Sequence, residues 1–297
     1  MSDSFLTIHE ELKRLREEGL NSIYVSDQAM GILDENSKRQ RASNLDNQSV
    51  EIATNPIKPK VAAKTGETKS SGSFIKPIPA EPASFHVPEG SPSEKLTWLN
   101  NHVKNCPVCN EHLSKNGKVV FGTGSETADI FFCGEAPGAD EERSGEPFVG
   151  KAGQLLTKII EAMGVTRESV YIANILKWRP EHDKPYGNRP PTLEEMQFCL
   201  PYVKAQIEII KPKAIVALGN TAVTGLLGPD PKRRISKSRG TWELFEETPL
   251  MITFHPSYLL RNDTLETKRF VWEDMLKVME KVELPITEKQ RGYFLRK

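Results

Sequence analysis

Asp129 to Gln154 reads D-I-F-F-C-G-E-A-P-G-A-D-E-E-R-S-G-E-P-F-V-G-K-A-G-Q, and the order of residue types in it decides the architecture. Ile130 to Cys133 form a short apolar run of the buried-strand type, broken at once by Gly134, Pro137 and Gly138. A strand that ends in a glycine-rich loop presents backbone N–H groups at the carboxyl edge of a sheet, where open α/β sheets bind their ligands. Phe148 follows Pro147 in a polar loop, just ahead of an amphipathic segment that starts near Lys151. An aromatic ring in that position can stack on a planar ligand.

Working outward, two further motifs close apolar runs of the same kind. N-I-L-K-W-R-P begins at Asn174 within the run Val170 to Leu176, and H-P-S-Y-L-L-R begins at His255 directly after Leu250 to Phe254. Ala214 to Leu218 is another strand candidate. Helical spacing fills the intervals. Lys151 to Met163 carries Leu155, Ile159 and Met163 four apart and stops at Gly164; Thr192 with Glu195 makes a capping box for a helix running to Ile210. A helix follows Gly219 and ends by Gly228, and Leu265 to Val282 is amphipathic. Strands alternating with helices predict a parallel sheet covered on both faces. A single strand-and-turn is ordinarily only a turn. Three polar clusters at the ends of three parallel strands converge on one sheet edge, which is the pattern of an active site.

The chain has 297 residues, 40 basic and 40 acidic, and only 37% hydrophobic residues, few for a chain folded throughout. The deficit lies in residues 35 to 95, rich in Ser, Asn, Lys, Pro and Glu, which cannot bury enough apolar area to offset ordering entropy. The boundaries read from this are an amphipathic helix within residues 1–25 (Phe5, Ile8, Leu12 and Leu15 on one face), a disordered linker over 26–92, a folded α/β domain over 93–284 and a tail over 285–297. The tail's G-Y-F-L either docks back or meets a partner, and the N-terminal helix is a candidate for recruiting a protein partner. There is no signal-peptide core and no stretch near the ~20 apolar residues of a membrane span, so a cytoplasmic monomer is the expectation.

Zero net charge excludes a uniformly basic nucleic-acid binder, so any such role must rest on a local patch. Lys232, Arg233, Arg234, Lys237 and Arg239 form one just upstream of His255. Four cysteines, Cys106, Cys109, Cys133 and Cys199, read as free or metal-bound rather than paired in such a chain. Cys106-Pro-Val-Cys109 follows a helical stretch from Ser93 to Lys104 and is a candidate metal or cluster turn.

Taken together, G-E-A-P-G-A-D-E with P-F-V-G-K-A-G-Q-L-L, N-I-L-K-W-R-P and H-P-S-Y-L-L-R resemble the uracil-DNA glycosylase superfamily, nearest to its family 4 (type-4, iron–sulfur) enzymes. The resemblance runs from about Leu96 to Lys281. It implies a three-layer α/β/α sandwich with a short four-stranded parallel sheet, and an N-glycosylase that releases uracil from flipped-out deoxyuridine in DNA during base-excision repair. By resemblance His255 donates to the uracil oxygen that gains charge, Asn174 reads the amide edge, Phe148 stacks on the ring, and Gly134 and Glu135 line the pocket. Ala136 stands where other branches carry a water-activating Asp, leaving Glu135 or Asp140 to position water. Ser257, Arg261 and the basic loop with Lys232, Arg233 and Arg234 would hold phosphates, and Tyr258 and Leu259 would fill the gap left by the flipped base.

One departure stands out. The family's K-C-R-P cysteine is here Trp178, while Cys106, Cys109 and Cys199 match the other cluster positions. Either a [4Fe-4S] cluster is held with another fourth ligand, or it is lost and Trp178 fills its space. No nucleotide cofactor is implied. The rival functional reading is a protein of the same superfamily that binds or cross-links uracil-DNA without turnover.

Overall fold

A computed structural model describes residues 78–180 and 188–295. The expected N-terminal helix and most of the linker lie outside the described residues. Six strands form one sheet: β1 (Thr123–Gly124), β2 (Ile130–Gly134), β3 (Tyr171–Asn174), β4 (Ala214–Leu218), β5 (Trp242–Phe245) and β6 (Thr248–Thr253), in the order β1-β3-β2-β4-β6-β5. The inner four, β3, β2, β4 and β6, are parallel, while β1 and β5 add antiparallel edges. The four-stranded expectation is therefore met by the inner sheet and extended at both sides. Both edges lack a readable run: β1 has two residues, and β5 exposes Trp242, Glu243 and Leu244 and buries only Phe245.

Every residue of β2 and of β4 is buried, as strands covered on both faces require. Their side chains divide by parity. Phe131 and Cys133 of β2 and Ile215 and Ala217 of β4 join one core cluster, and Ile130, Phe132, Ala214 and Val216 join the other. The first cluster packs under α1 (Pro92–Lys104), α5 (Leu193–Ile210) and α6 (Gly219–Leu227), through residues such as Leu99, Val203 and Val223. The second packs under α4 (Lys151–Ala162) and α9 (Leu265–Lys281), through Leu156, Ile160, Trp272 and Met275. The result is the three-layer α/β/α sandwich.

Helix ends follow the sequence signals. Thr192 caps α5 with Glu195 answering at 2.7 Å, and the buried Glu195 carboxylate also accepts two hydrogen bonds from Arg189. Ser91 caps α1 in the same reciprocal way with Glu94. Two segments at the margins also pack. Phe85 stacks on Tyr202 at 5.4 Å between ring centroids, so the stretch 78–91 lies against the first core cluster as a strap. Beyond α9, the short helix α10 (Glu288–Arg291) is held where Trp272 Nε1 donates to the Gln290 carbonyl at 2.6 Å, and Tyr293 packs on Trp272 while Phe294 and Leu295 stay exposed. Among the described residues no helix is long and apolar enough to cross a membrane.

Candidate active site

The carboxyl ends of β2, β3, β4 and β6 and the loops they feed enclose a cleft of about 570 Å³. The parallel register of β2 and β3 sets Gly134 beside Asn174. A Cβ on Gly134 would lie 2.4 Å from both Asn174 Oδ1 and Phe148 Cζ, so the amide and the ring converge over a backbone that only glycine leaves open. Asn174 is buried, and its Oδ1 has no hydrogen-bond partner among the described residues. A buried acceptor left unpaired costs about 1–3 kcal/mol, which is recovered when a ligand donor meets it.

Phe148 reaches this point through a strained turn, with φ at +53°, where a bulky residue is seldom found. The turn fits only because residue 153 is glycine: a Cβ there would sit 1.8 Å from the Phe148 carbonyl oxygen. Glu141, in the short helix α3 (Ala139–Ser144), holds the same loop by accepting from the N–H groups of Gly138, Val149 and Gly150 at 3.0–3.1 Å.

His255 stands at the end of β6 as the N-cap of α8 (Pro256–Arg261), its ring 5.7 Å from that of Phe148. Gly219, at φ +88°, lets it approach: a Cβ on that residue would meet His255 Cβ at 3.0 Å. Nδ1 accepts from the Ser257 N–H at 3.1 Å and contacts Ser257 Oγ at 2.8 Å. Burial, with the Arg261 guanidinium second, lowers the imidazole to about 4. The ring is therefore neutral at pH 7, and with Nδ1 accepting, its proton sits on Nε2, available to donate. Glu135 is shifted the other way: burial raises its carboxyl, against a Thr221 hydrogen bond and the Arg261 charge. The cleft thus holds one donor and one carboxylate with raised proton affinity around an open amide edge.

The family model described as "Uracil DNA glycosylase superfamily" matches residues 121–276, more than half of the chain. The chain belongs to the uracil-DNA glycosylase superfamily. It is 43% identical over 185 residues to the type-4 uracil-DNA glycosylase of Thermotoga maritima, covering 62% of this chain and 93% of that one. The type-4 enzyme of Archaeoglobus fulgidus is 38% identical over 173 residues (56% and 84%), and the type-5 enzyme of Pyrobaculum aerophilum 26% over 178 residues (49% and 73%).

Against this superfamily frame, Glu135, Phe148, Asn174, His255, Ser257, Tyr258 and Arg261 all line the one cleft, with Gly134 as its buried floor. Other expected residues lie elsewhere. Leu259 is 5% exposed, packed with Phe254 and Val271, and so cannot fill a gap in DNA, whereas Tyr258 and Leu260 are 37% and 48% exposed. Ser257 is committed to His255, as described. Asp140 is exposed and pairs with Arg143; Glu141 faces the cleft instead. Lys232, Arg233 and Arg234 border α7 (Ile235–Ser238), whose Ile235 lines the cleft. Arg239 leaves the patch, because its guanidinium pairs with buried Asp274 of α9. Asn220 and Thr221 also line the cleft, directly after Gly219 at the end of β4, where the sequence carries the same strand-then-glycine signal that marks Gly134.

Cys106, Cys109 and Cys199 do come together, Cys106 hydrogen-bonding Cys109 and Cys109 bonding Cys199. The bond to Cys109, then burial, raises Cys106 well above the usual thiol range. Cys109 is lowered by its bond to Cys106 but raised more by Cys199 and burial together. Buried Trp178 stands at the fourth position, where an indole N–H offers no lone pair to iron. Cys133 faces the core from β2 and is pushed up to about 12 by burial.

Proposed function

We infer that this chain is a uracil-DNA glycosylase, hydrolysing the N-glycosidic bond of deoxyuridine turned out of DNA to release uracil and leave an abasic site. The observation that carries the reading is the unpaired, buried Asn174 Oδ1 beside Phe148 and Gly134. Uracil offers N3–H as donor and O4 as acceptor, and a side-chain amide answers both. Cytosine reverses that pattern and would leave the Asn174 oxygen facing a lone pair, at a cost of a few kcal/mol.

In this reading the extruded base slides over Gly134 and stacks on Phe148, which also blocks water from one face. Bond breaking leaves positive charge on the sugar and negative charge on the departing uracil. His255 donates from Nε2 to the base oxygen where that charge grows, and Ser257 fixes the tautomer that makes the donation available. A neutral donor suits this task, since it stabilises the anion without handing over a proton. Glu135, whose carboxyl is raised by burial against the Thr221 hydrogen bond and the Arg261 charge, holds the attacking water near the sugar. No step requires a metal or cluster.

The test is incubation with a labelled uracil-containing oligonucleotide followed by alkali. Asn174→Ala and His255→Ala should each lower cleavage by ~10²-fold or more. Parent-like cleavage by both would overturn the assignment, and persistent protein–DNA adducts in place of abasic sites would favour the non-turnover reading.

A further inference from the structure

Family resemblance calls for thiolates at four positions, and at one of them this chain has Trp178. Its indole is 0% exposed. It meets His112 edge-on at 4.9 Å and Phe198 at 6.1 Å between ring centroids. Phe198 in turn contacts Tyr202 at 6.2 Å, and Tyr202 stacks on Phe85 at 5.4 Å. These five rings come from four places: the C-cap of α2 (Pro107–Glu111), the segment after β3, α5, and the strap 78–91. They tie together the same elements that carry Cys106, Cys109 and Cys199.

An indole offers only an N–H donor, with no lone pair for iron. Cys109 lies within hydrogen-bond reach of both Cys106 and Cys199, so three cysteines gather there with the Trp178 indole in place of a fourth. Among the described residues no group of three or more His, Cys, Asp or Glu side chains is arranged to hold a metal ion. We propose that in this chain an aromatic plug centred on Trp178 has replaced the iron–sulfur cluster as the staple between α2, the segment after β3 and α5, and that the fold is complete without iron. The inference rests on family membership and on packing, not on the glycosylase reading.

The test uses the full chain, produced with iron supplied and purified without oxygen. Iron, zinc and acid-labile sulfide are measured, and melting is followed for the parent, Trp178→Phe and Trp178→Ala. The plug predicts a colourless parent with substoichiometric metal, a Tm unmoved by chelator, near-parent melting for Trp178→Phe, and a fall of roughly 10 °C or more for Trp178→Ala. About four irons per chain with matching sulfide, or one tightly held zinc, would overturn it. So would a Trp178→Ala protein that melts with the parent. None of these readouts depends on uracil release, so the failure of one proposal leaves the other standing.

Discussion

At the scale of single residues, the site is built on what two glycines omit. A Cβ at 134 would occupy the space where the Asn174 amide and Phe148 ring approach, and a Cβ at 153 would strike the carbonyl that bends Phe148 into its turn. Gly134→Ala should therefore lower kcat/KM by ~10²-fold or more with a smaller loss of stability than at 153, because it meets the side-chain ends of buried Asn174 and Phe148 instead of backbone. Gly153→Ala meets backbone, not a movable side chain, and should cost on the order of 2 kcal/mol of stability as well as activity. Denaturant melts beside uracil-release kinetics separate the two. His255 adds a pH signature. Its folded value of about 4 lies below the ordinary 6.5, so between those values the unfolded chain binds more protons and stability falls as pH drops through that window. The gap in stability between parent and His255→Ala should be nearly constant well above pH 6.5 and shift against the parent by about 3 kcal/mol by pH 4. A pH-independent gap would contradict the neutral, buried imidazole.

At the scale of elements, Lys177 joins β3 to its surroundings. Its buried ammonium donates to the carbonyls of Phe121 and Asn174 and to Gln206 Oε1 at 2.8–3.1 Å, and burial lowers it to about 8, against the pull of Cys133, Cys199 and Cys109. Lys177→Met would take this donor from the Asn174 carbonyl and Gln206 Oε1, while the Phe121 carbonyl keeps Gln206 Nε2, so a loss of about 2–4 kcal/mol is expected. The released Asn174 backbone should also lower kcat more than it changes KM. Arg239 does a similar job between α7 and α9. Removing it leaves the Asp274 carboxylate buried with only Thr253 at 2.7 Å and Lys277 nearby, so Arg239→Ala should cost about 3–5 kcal/mol without altering the salt dependence of DNA binding. Element by element, long apolar runs and paired caps were legible: β2, β4, α5 and α9 needed nothing more than periodicity. The edge strands were not, because an edge is defined by its neighbour and β1 and β5 bury too little to mark a pattern. Leu259 was unreadable for a related reason. A six-residue helix such as α8 has too few turns for its buried face to be inferred.

At the scale of the whole molecule, a balanced charge leaves DNA affinity to local cations. Exchanging Lys232, Arg233 and Arg234 for alanine should weaken binding to uracil-containing and uracil-free duplexes alike, and reduce the slope of log affinity against log salt by about 2–3. A selective loss on uracil-containing DNA would place these residues in base recognition instead. By itself the sequence determined the α/β/α layering and the three motifs, since buried parallel strands and glycine-broken strand ends leave marks within a few residues. It also marked Trp178 as the departure from the family pattern. Tertiary structure alone decided which side chains share the cleft, that Leu259 and Arg239 serve the core, and that the rings around Trp178 join the elements carrying Cys106, Cys109 and Cys199. Those outcomes depend on contacts between residues tens of positions apart, and no local periodicity carries the direction in which a side chain will find its partner.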